Sequence, residues 1–462
     1  MIKRNKKIIA ALLCCCITPS FALDVQQIYN LAMNRSNSVK AGDSTRKAVN
    51  DDASVATRSW LPNIEAQGYF NRGNYDGGNT LTRSDFDGIS VIARQTLFDY
   101  SAIARAMGAK YVRSLASYKF KIVKQTEIVK SINAYFDLLL SKHLVGLANL
   151  NRQMYKTGLY QIRVAKNLNL KTPDEVEFVQ SDYEDAIAED LKARTAYSDS
   201  IALLENMIHQ KVNYINPLKT NVVRHVQPVP PLSVWEQRAR KNNIAIRALQ
   251  VGLQIADKDI DAQVGRHLPQ VSAVGSYNVL HNKGVLAYGG MAYGVSSNQS
   301  NHIHGYSIGI EATIPLFSGG TVSAKVSSAE QKRQAVLYKI AQVESDVALK
   351  TRTDYFLLKT DREKVKAQRR AVHASQLAVH ATREQMKAHR KTELDLMKAQ
   401  AKLGLAQEKY QESIFDYFKR YIALHVDAGE LNGAVIYEVN QYIDHNRRIK
   451  ITQNDRFPIY LH

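Results

Sequence analysis

Two stretches of the chain alternate apolar and polar residues with a period of two, and both open on a Leu-Pro step. After Leu61-Pro62, Ile64, Ala66, Gly68 and Phe70 alternate with Asn63, Glu65, Gln67 and Asn71. After Leu268-Pro269, Val271, Ala273, Gly275, Tyr277 and Val279 alternate with Gln270, Ser272, Ser276 and Asn278. This period predicts strands with one apolar face. Each has a partner further on. One sets Ile89, Val91, Ala93 and Leu97 against Ser90, Arg94 and Thr96. The other sets Tyr306, Ile308, Ile310, Ala312, Ile314 and Leu316 against Ser307, Glu311 and Thr313. The pattern fits two half-buried hairpins of a soluble core. It fits equally the strands of an outer-membrane barrel, apolar to lipid and polar to the lumen.

The sequence between these strands is of another kind. From Ser101 to Leu168 there is no proline, and at ~1.5 Å per residue such a stretch makes a helix of roughly 100 Å. That is more than twice the thickness of a bilayer. Leu403, Tyr410, Ile414, Tyr417, Tyr421 and Leu424 fall in one heptad seam, interrupted at Gln407. A polar helix of this length has to pack beside others, as a coiled-coil wall.

The markers come twice and in the same order. Pro62 answers Pro269, Phe98 answers Phe317, and Tyr135 in "NAYFDLLL" answers Tyr355 in "TDYFLLKT". Such self-similarity predicts an internal duplication. The first repeat covers 23–225, with strands at about 61–75 and 85–98 and long helices at about 101–168 and 174–210. The second covers 226–432, with strands at about 268–280 and 305–317 and helices at about 321–388 and 392–426. A Pro-rich join, "VQPVPPLSVW" at 226–235, separates them, and 433–462 forms a C-terminal extension outside the repeat.

Composition narrows the picture. Lys3, Arg4, Lys6 and Lys7 precede an apolar run that ends in "PSFA", the plan of a secretory signal peptide over 1–22. All three cysteines, Cys14 to Cys16, lie within it, so an exported chain has no thiolate chemistry and no disulfide. Lipidation of one of these cysteines is the competing reading of the segment. Without it the chain carries 58 basic and 43 acidic residues. The basic residues are spread through helices rather than gathered in a tract, which argues against nucleic-acid binding. No later stretch has the roughly 20 apolar residues of a spanning helix. No phosphate loop, metalloprotease helix or serine-nucleophile elbow is present, so neither an enzyme nor a cofactor is expected. His281, His302 and His304 could share a metal, but the sequence offers no carboxylate beside them, and they read as loop histidines. His373 and His380 read as helix-seam or surface positions.

Four strands cannot close a membrane sheet, whose backbone groups must all be paired. Single-chain barrels begin at about eight strands. Four per chain therefore demand an oligomer, and the long helices favour three copies, since twelve helices can ring a water-filled bore.

The repeated "LP" strand, the "LF" and "PLF" closing strands, "FSGG" before a long helix and "AYF" within one together resemble the TolC family of outer membrane efflux proteins. The resemblance runs from about residue 24 to 432. It implies a mixed α and β membrane protein: a homotrimer with a shared twelve-stranded β-barrel in outer-membrane lipid and a long α-helical barrel across the periplasm. It also implies a periplasmic adaptor and an inner-membrane transporter as partners. The alternative is a periplasmic coiled-coil adaptor, which usually carries one helical hairpin rather than two alternating ones.

In that family the helix turns carry function. Counting along each repeat places the turns at Asn169 and His389, where the family usually has Gly. Asn169, Leu170, His389 and Arg390 are then the tip residues expected to meet an adaptor. Six residues beyond the turns stand Glu175 and Asp395, at positions where the family uses acids to narrow the tunnel. Lys398 replaces the second acid of the family's pair, and Lys391 stands where Arg is common and could pair with Glu175. These residues are the candidate gate, with a mixed-charge ring at Asp395 and Lys398. The plain alternative is solvated helix-end charge of little energetic consequence.

Overall fold

The computed structural model describes residues 22–76, 81–219, 230–283, 286–288, 291–293 and 300–456. The expected signal segment, apart from Ala22, lies outside the described residues, as does the Pro-rich join up to residue 229.

In chain order the elements are α1 (Val25–Arg35), α2 (Asn37–Arg58), β1 (Asn63–Asp76), β2 (Leu81–Phe98), α3 (Tyr100–Asn167), α4 (Pro173–Ile208) and β3 (Tyr214–Ile215). There follow α5 (Leu232–Asn242), α6 (Ile244–Val264), β4 (Gln270–Lys283), β5 (Leu286–Tyr288), β6 (Met291–Tyr293) and β7 (Ser300–Thr313). The last are α7 (Thr321–Lys387), α8 (Glu393–Asp427), α9 (Gly433–Asn440), β8 (Ile449–Lys450) and α10 (Gln453–Arg456). The succession of helix, hairpin, long helix, turn and long helix thus occurs twice. The chain divides into two compact units. One is drawn from Met1–Val39, Lys124–Ala239 and Lys350–His462, the other from Lys40–Val123 and Arg240–Leu349.

The second of these holds an antiparallel sheet in the order β1-β2-β4-β7. Because paired residues share a face, the register sorts the side chains cleanly. Ile64, Ala93, Gly275 and Ile308 form one row, and Ala66, Val91, Tyr277 and Tyr306 the next. This apolar face is bare: Ile308 is 84 % exposed and Phe70 74 %. The opposite face is polar and stitched by side chains. Ser90 donates to Asn278 at 2.6 Å, Ser276 and Ser307 stand 2.9 Å apart, and Arg94 pairs with Glu311 at 2.7 Å. β1 and β7 are left as the two edges.

β7 ends at Thr313 instead of running on to Phe317. Pro315 has no N–H to offer a ladder. Gly319 and Gly320 then take positive φ, 60° and 77°, and turn the chain into α7. This is the physical content of "FSGG".

The other unit is a wall of four helices. Arg152 on α3 pairs with Asp190 on α4 at 3.4 Å, and Leu159 packs with Val176 and Val179. On its other side α3 meets α8. Phe136 packs against Phe415 and Phe418 with ring centroids 5.6 and 5.7 Å apart, and Lys419 bonds Asp137. α8 in turn meets α7 through Lys364–Asp416 at 3.2 Å and Arg420–Asp354 at 2.9 Å. The order is therefore α4-α3-α8-α7. A middle helix such as α8 needs apolar residues on two sides, so Phe415, Phe418 and Ile422 are buried in addition to the single seam read from the sequence.

The C-terminal extension belongs to this unit. β8 pairs with β3, and Ile436, Val439 and Ile443 are almost fully buried in the same core as Ile28, Tyr135 and Trp235. The Tyr135 hydroxyl donates to the Asn216 carbonyl at 2.5 Å. At about 1.5–3 kcal/mol per fully buried large apolar side chain, the tail is a structural part of the fold.

Candidate functional site

The two helix turns are near copies. α3 ends in a Schellman motif: the Leu170 N–H donates to the Ala165 carbonyl at 2.9 Å, and the Asn169 N–H to the Lys166 carbonyl at 2.9 Å. α7 ends in the same way, with Arg390 N–H to Gln385 carbonyl at 2.9 Å and His389 N–H to Met386 carbonyl at 3.0 Å. Asn169 and His389 both sit in the left-handed region. The turns stand side by side: eleven residues before Asn169, an added Cβ on Gly158 would come within 2.4 Å of the sulfur of Met397, eight residues past His389.

Next comes a capping box at each turn. The Thr172 side chain accepts from the Glu175 N–H, and the Glu175 carboxylate accepts from the Thr172 N–H at 3.0 Å. Thr392 and Asp395 repeat this, with the Thr392 N–H and hydroxyl donating to Asp395 at 2.9 and 2.8 Å. Lys171 reaches Glu175 at 2.5 Å. The Lys171 ammonium, then the Thr172 N–H, hold the Glu175 carboxyl below its usual range. For Asp395 the Thr392 N–H is the first cause of the same depression. Thr172, Thr392 and Lys171 were missed in the sequence, although "TPDE" and "TELD" each carry the capping-box spacing.

The remaining candidates are placed without forming bonds to these acids. Among the described residues no ion pair joins Lys391 to Glu175 or Lys398 to Asp395. Lys391 and Lys398 are exposed. Leu168 and Leu170 are exposed at the first turn, whereas the second presents Arg390 and Lys391. The first turn thus presents leucines flanked by Lys166 and Lys171, and the second a basic tip.

Away from the turns, Asp354 and Asp427 are buried between α7 and α8, with Lys350 bonding Asp427 and Arg420 bonding Asp354. In the sheet, Asp87 lies directly across from His281, and His281 across from His302. The carboxylate that the sequence seemed to lack is therefore 3.9 Å from the His281 Nδ1. The His281 and His302 rings stack face to face, 4.1 Å apart. Among the described residues no three ligand-type side chains converge to hold a metal, and no helix is long and apolar enough to cross a membrane.

The antiparallel four-stranded sheet has a bare apolar face, and the long helical hairpin occurs twice in the chain. Residues 235–416 match the family described as "Outer membrane efflux protein". That part of the chain resembles the family, and the relatives below point the same way. It is 24 % identical over 430 residues to the alkaline protease secretion protein AprF of Pseudomonas aeruginosa, covering 90 % of this chain and 86 % of that one. It is 20 % identical over 428 residues to the proteases secretion protein PrtF of Dickeya chrysanthemi, covering 89 % of each. The fold superposes on the open-state MtrE outer membrane channel of Neisseria gonorrhoeae with a TM-score of 0.69 and 16 % identity, over 88 % of this chain and 89 % of that one. These similarities support an outer-membrane exit duct rather than an adaptor.

Proposed function

We propose that three copies of the chain form an exit duct that passes polypeptides from a periplasmic adaptor and an inner-membrane transporter to the exterior. The observation that carries this reading is the sheet with its bare apolar face and two open edges, β1 and β7. In hydrocarbon an open edge is untenable. Three copies edge to edge make twelve strands, with the apolar face to lipid and the Ser90, Asn278, Arg94 and Glu311 face to the lumen. A polypeptide cargo is supported by the printed names of AprF and PrtF, whose matches run nearly end to end. Small molecules are the second reading, since the family is described as one of efflux proteins.

Within this duct the paired turns are the periplasmic mouth. Asn169, Leu170, His389 and Arg390 are the surface offered to the adaptor, and Glu175, Asp395, Lys391 and Lys398 line the constriction. With Glu175 and Asp395 each held in a capping box, the mouth carries a ring of mixed charge. Such a ring selects weakly between ions.

The test is the native mass of protein extracted by detergent from outer membranes, followed by single-channel recording. Three chains and weak cation selectivity are expected, with selectivity rising several-fold in Lys398→Asp. A single-chain mass contradicts the duct. A Lys398→Asp channel with unchanged selectivity contradicts the constriction.

A further inference from the structure

The internal duplication has a geometric consequence for the way copies join. Tyr135 and Tyr355, Asn169 and His389, Thr172 and Thr392, and Glu175 and Asp395 are all separated by 220 residues. The helices of the two repeats therefore run in constant register. Inside the chain, α3 of the first repeat is joined to α8 of the second. The order α4-α3-α8-α7 leaves α7 and α4 as the outer helices of the wall, with α10 seated on α4 through the Ser198 hydroxyl, which donates to the Arg456 carbonyl at 2.6 Å, and α5 on α7 through Arg352 and Glu236 at 3.0 Å. If the ring continues as it begins, α7 of one copy meets α4 of the next in the way that α3 meets α8.

The known junction can be carried across residue by residue. Phe136 against Phe415 and Phe418 becomes Phe356 against Thr195 and Ser198. Gly404, whose added Cβ would lie 3.8 and 4.0 Å from Asn151 and Leu147, becomes Glu184 over Ala371 and Ala367. The exposures agree. Phe136 is fully buried, while its counterpart Phe356 is 53 % exposed. Glu184, Ala367 and Ala371 are exposed too.

Charge gives an independent indication. Between Pro173 and Leu191, α4 carries eight acidic residues and no Lys or Arg. Residues 364–387 of α7 carry six Lys or Arg and two His against the single acid Glu384. Lys366, Arg369, Arg370 and His373 line an open groove of about 430 Å³. Lys366 is paired with Glu363 at 2.7 Å, and Arg370 has no ion-pair partner among the described residues. Among the described residues, Glu184 accepts only from Gln180 of its own helix, at 2.6 Å.

We propose that α7 of one copy seats against α4 of the next, with Glu184 over Ala367 and Ala371 between Lys366 and Arg370, and Phe356 covered by Thr195 and Ser198. This rests on the trimeric duct. It adds that the repeat is closed mainly by opposite charge, where the junction within the chain is closed by aromatic residues beside the single Lys419–Asp137 pair. Subunit association is therefore salt-sensitive, and its partner is a second copy of this chain rather than an adaptor or a cargo.

The experiment uses the full-length protein in detergent after extraction from outer membranes. Wild type is expected at three chains. Glu184→Arg and Arg370→Glu are each expected to dissociate at about tenfold lower salt, and the two together to recover most of the loss. As a second measurement, Phe356→Cys with Thr195→Cys is treated with a short bismaleimide; Cys14, Cys15 and Cys16 are the only native cysteines. Bands of two and three chains are expected. A wild-type mass of one chain overturns the duct and the interface together. A three-chain mass with cross-links confined to one chain, to a different protein, or absent overturns the interface and leaves the duct standing. Equal salt tolerance of the single and double charge variants also overturns it.

Discussion

Asn169 and His389 lie 220 residues apart and share one backbone conformation, with φ of 58° and 59°. A side chain in this region costs about 1 kcal/mol for most residues, less for Asn and more for a β-branched residue. His389→Gly should therefore stabilise the second turn by about 0.5–1 kcal/mol, and Asn169→Gly the first by less. Val at either position should cost 1 kcal/mol or somewhat more. Denaturant midpoints measured by circular dichroism check the order; a stabilising Val would contradict the turn geometry.

The capping boxes next to the turns give a sharper separation of roles. Thr172→Ala and Thr392→Ala each remove a side-chain acceptor for a helix N-terminus and should cost about 1 kcal/mol. Glu175→Gln keeps the reciprocal bond to the Thr172 N–H but loses the Lys171 pair, which is exposed and adds little. It should leave stability nearly unchanged while altering ion selectivity. Hydrogen exchange at the first turn of α4, read beside conductance, distinguishes the two effects.

Strand periodicity was legible because a half-exposed sheet writes its two faces into alternate residues, and Ile64, Val91, Tyr277 and Ile308 obey that rule. Long-range burial was not legible. Ile436 and Val439 look like an unremarkable tail segment until α1 is packed against them, and Asp87 is unrelated to His281 until the register is known. Phe415 and Phe418 were missed for a similar reason, since a helix between two neighbours no longer shows one clean seam. The capping threonines were legible too, since "TPDE" and "TELD" each carry the capping-box spacing.

Two buried groups on α8 oppose one another. Burial, and after it the neighbouring Asp354, pushes the Asp427 carboxyl up to about 6, although Lys350 pulls the other way. Burial, with Arg238, holds the His425 imidazole down to about 4. For Asp427 the folded state binds the proton more tightly, so its contribution to stability falls as pH rises from 3.8 towards 6. For His425 the unfolded state binds it more tightly, so stability falls as pH drops from 6.5 towards 4. Each effect is on the order of 3 kcal/mol at full extent, and in the wild type they offset. Asp427→Asn should then lose stability relative to wild type on acidification from pH 6.5 to 4, and His425→Phe should gain it. Unfolding midpoints across that range are the check; parallel curves for all three proteins would contradict the pairing.

Ile308 and Ser307 are neighbours on β7 that face opposite sides of the sheet. Ile308 belongs to the bare apolar row with Ile64, and Ser307 lies 2.9 Å from Ser276 on the polar face. A lysine on a lipid face near the bilayer midplane costs about 2–4 kcal/mol, while a lumen-facing position tolerates charge. Ile308→Lys should therefore reduce assembled protein in the outer membrane several-fold, and Ser307→Lys should assemble normally and shift ion selectivity towards anions. If the sheet were instead the surface of a soluble core with its polar face to water, the lysine at 307 would be silent in both assays. The lysine at 308 would then affect folding without regard to the membrane. Comparing assembly in outer membranes with refolding in detergent separates these cases, because only a lipid-facing site makes the penalty depend on the bilayer.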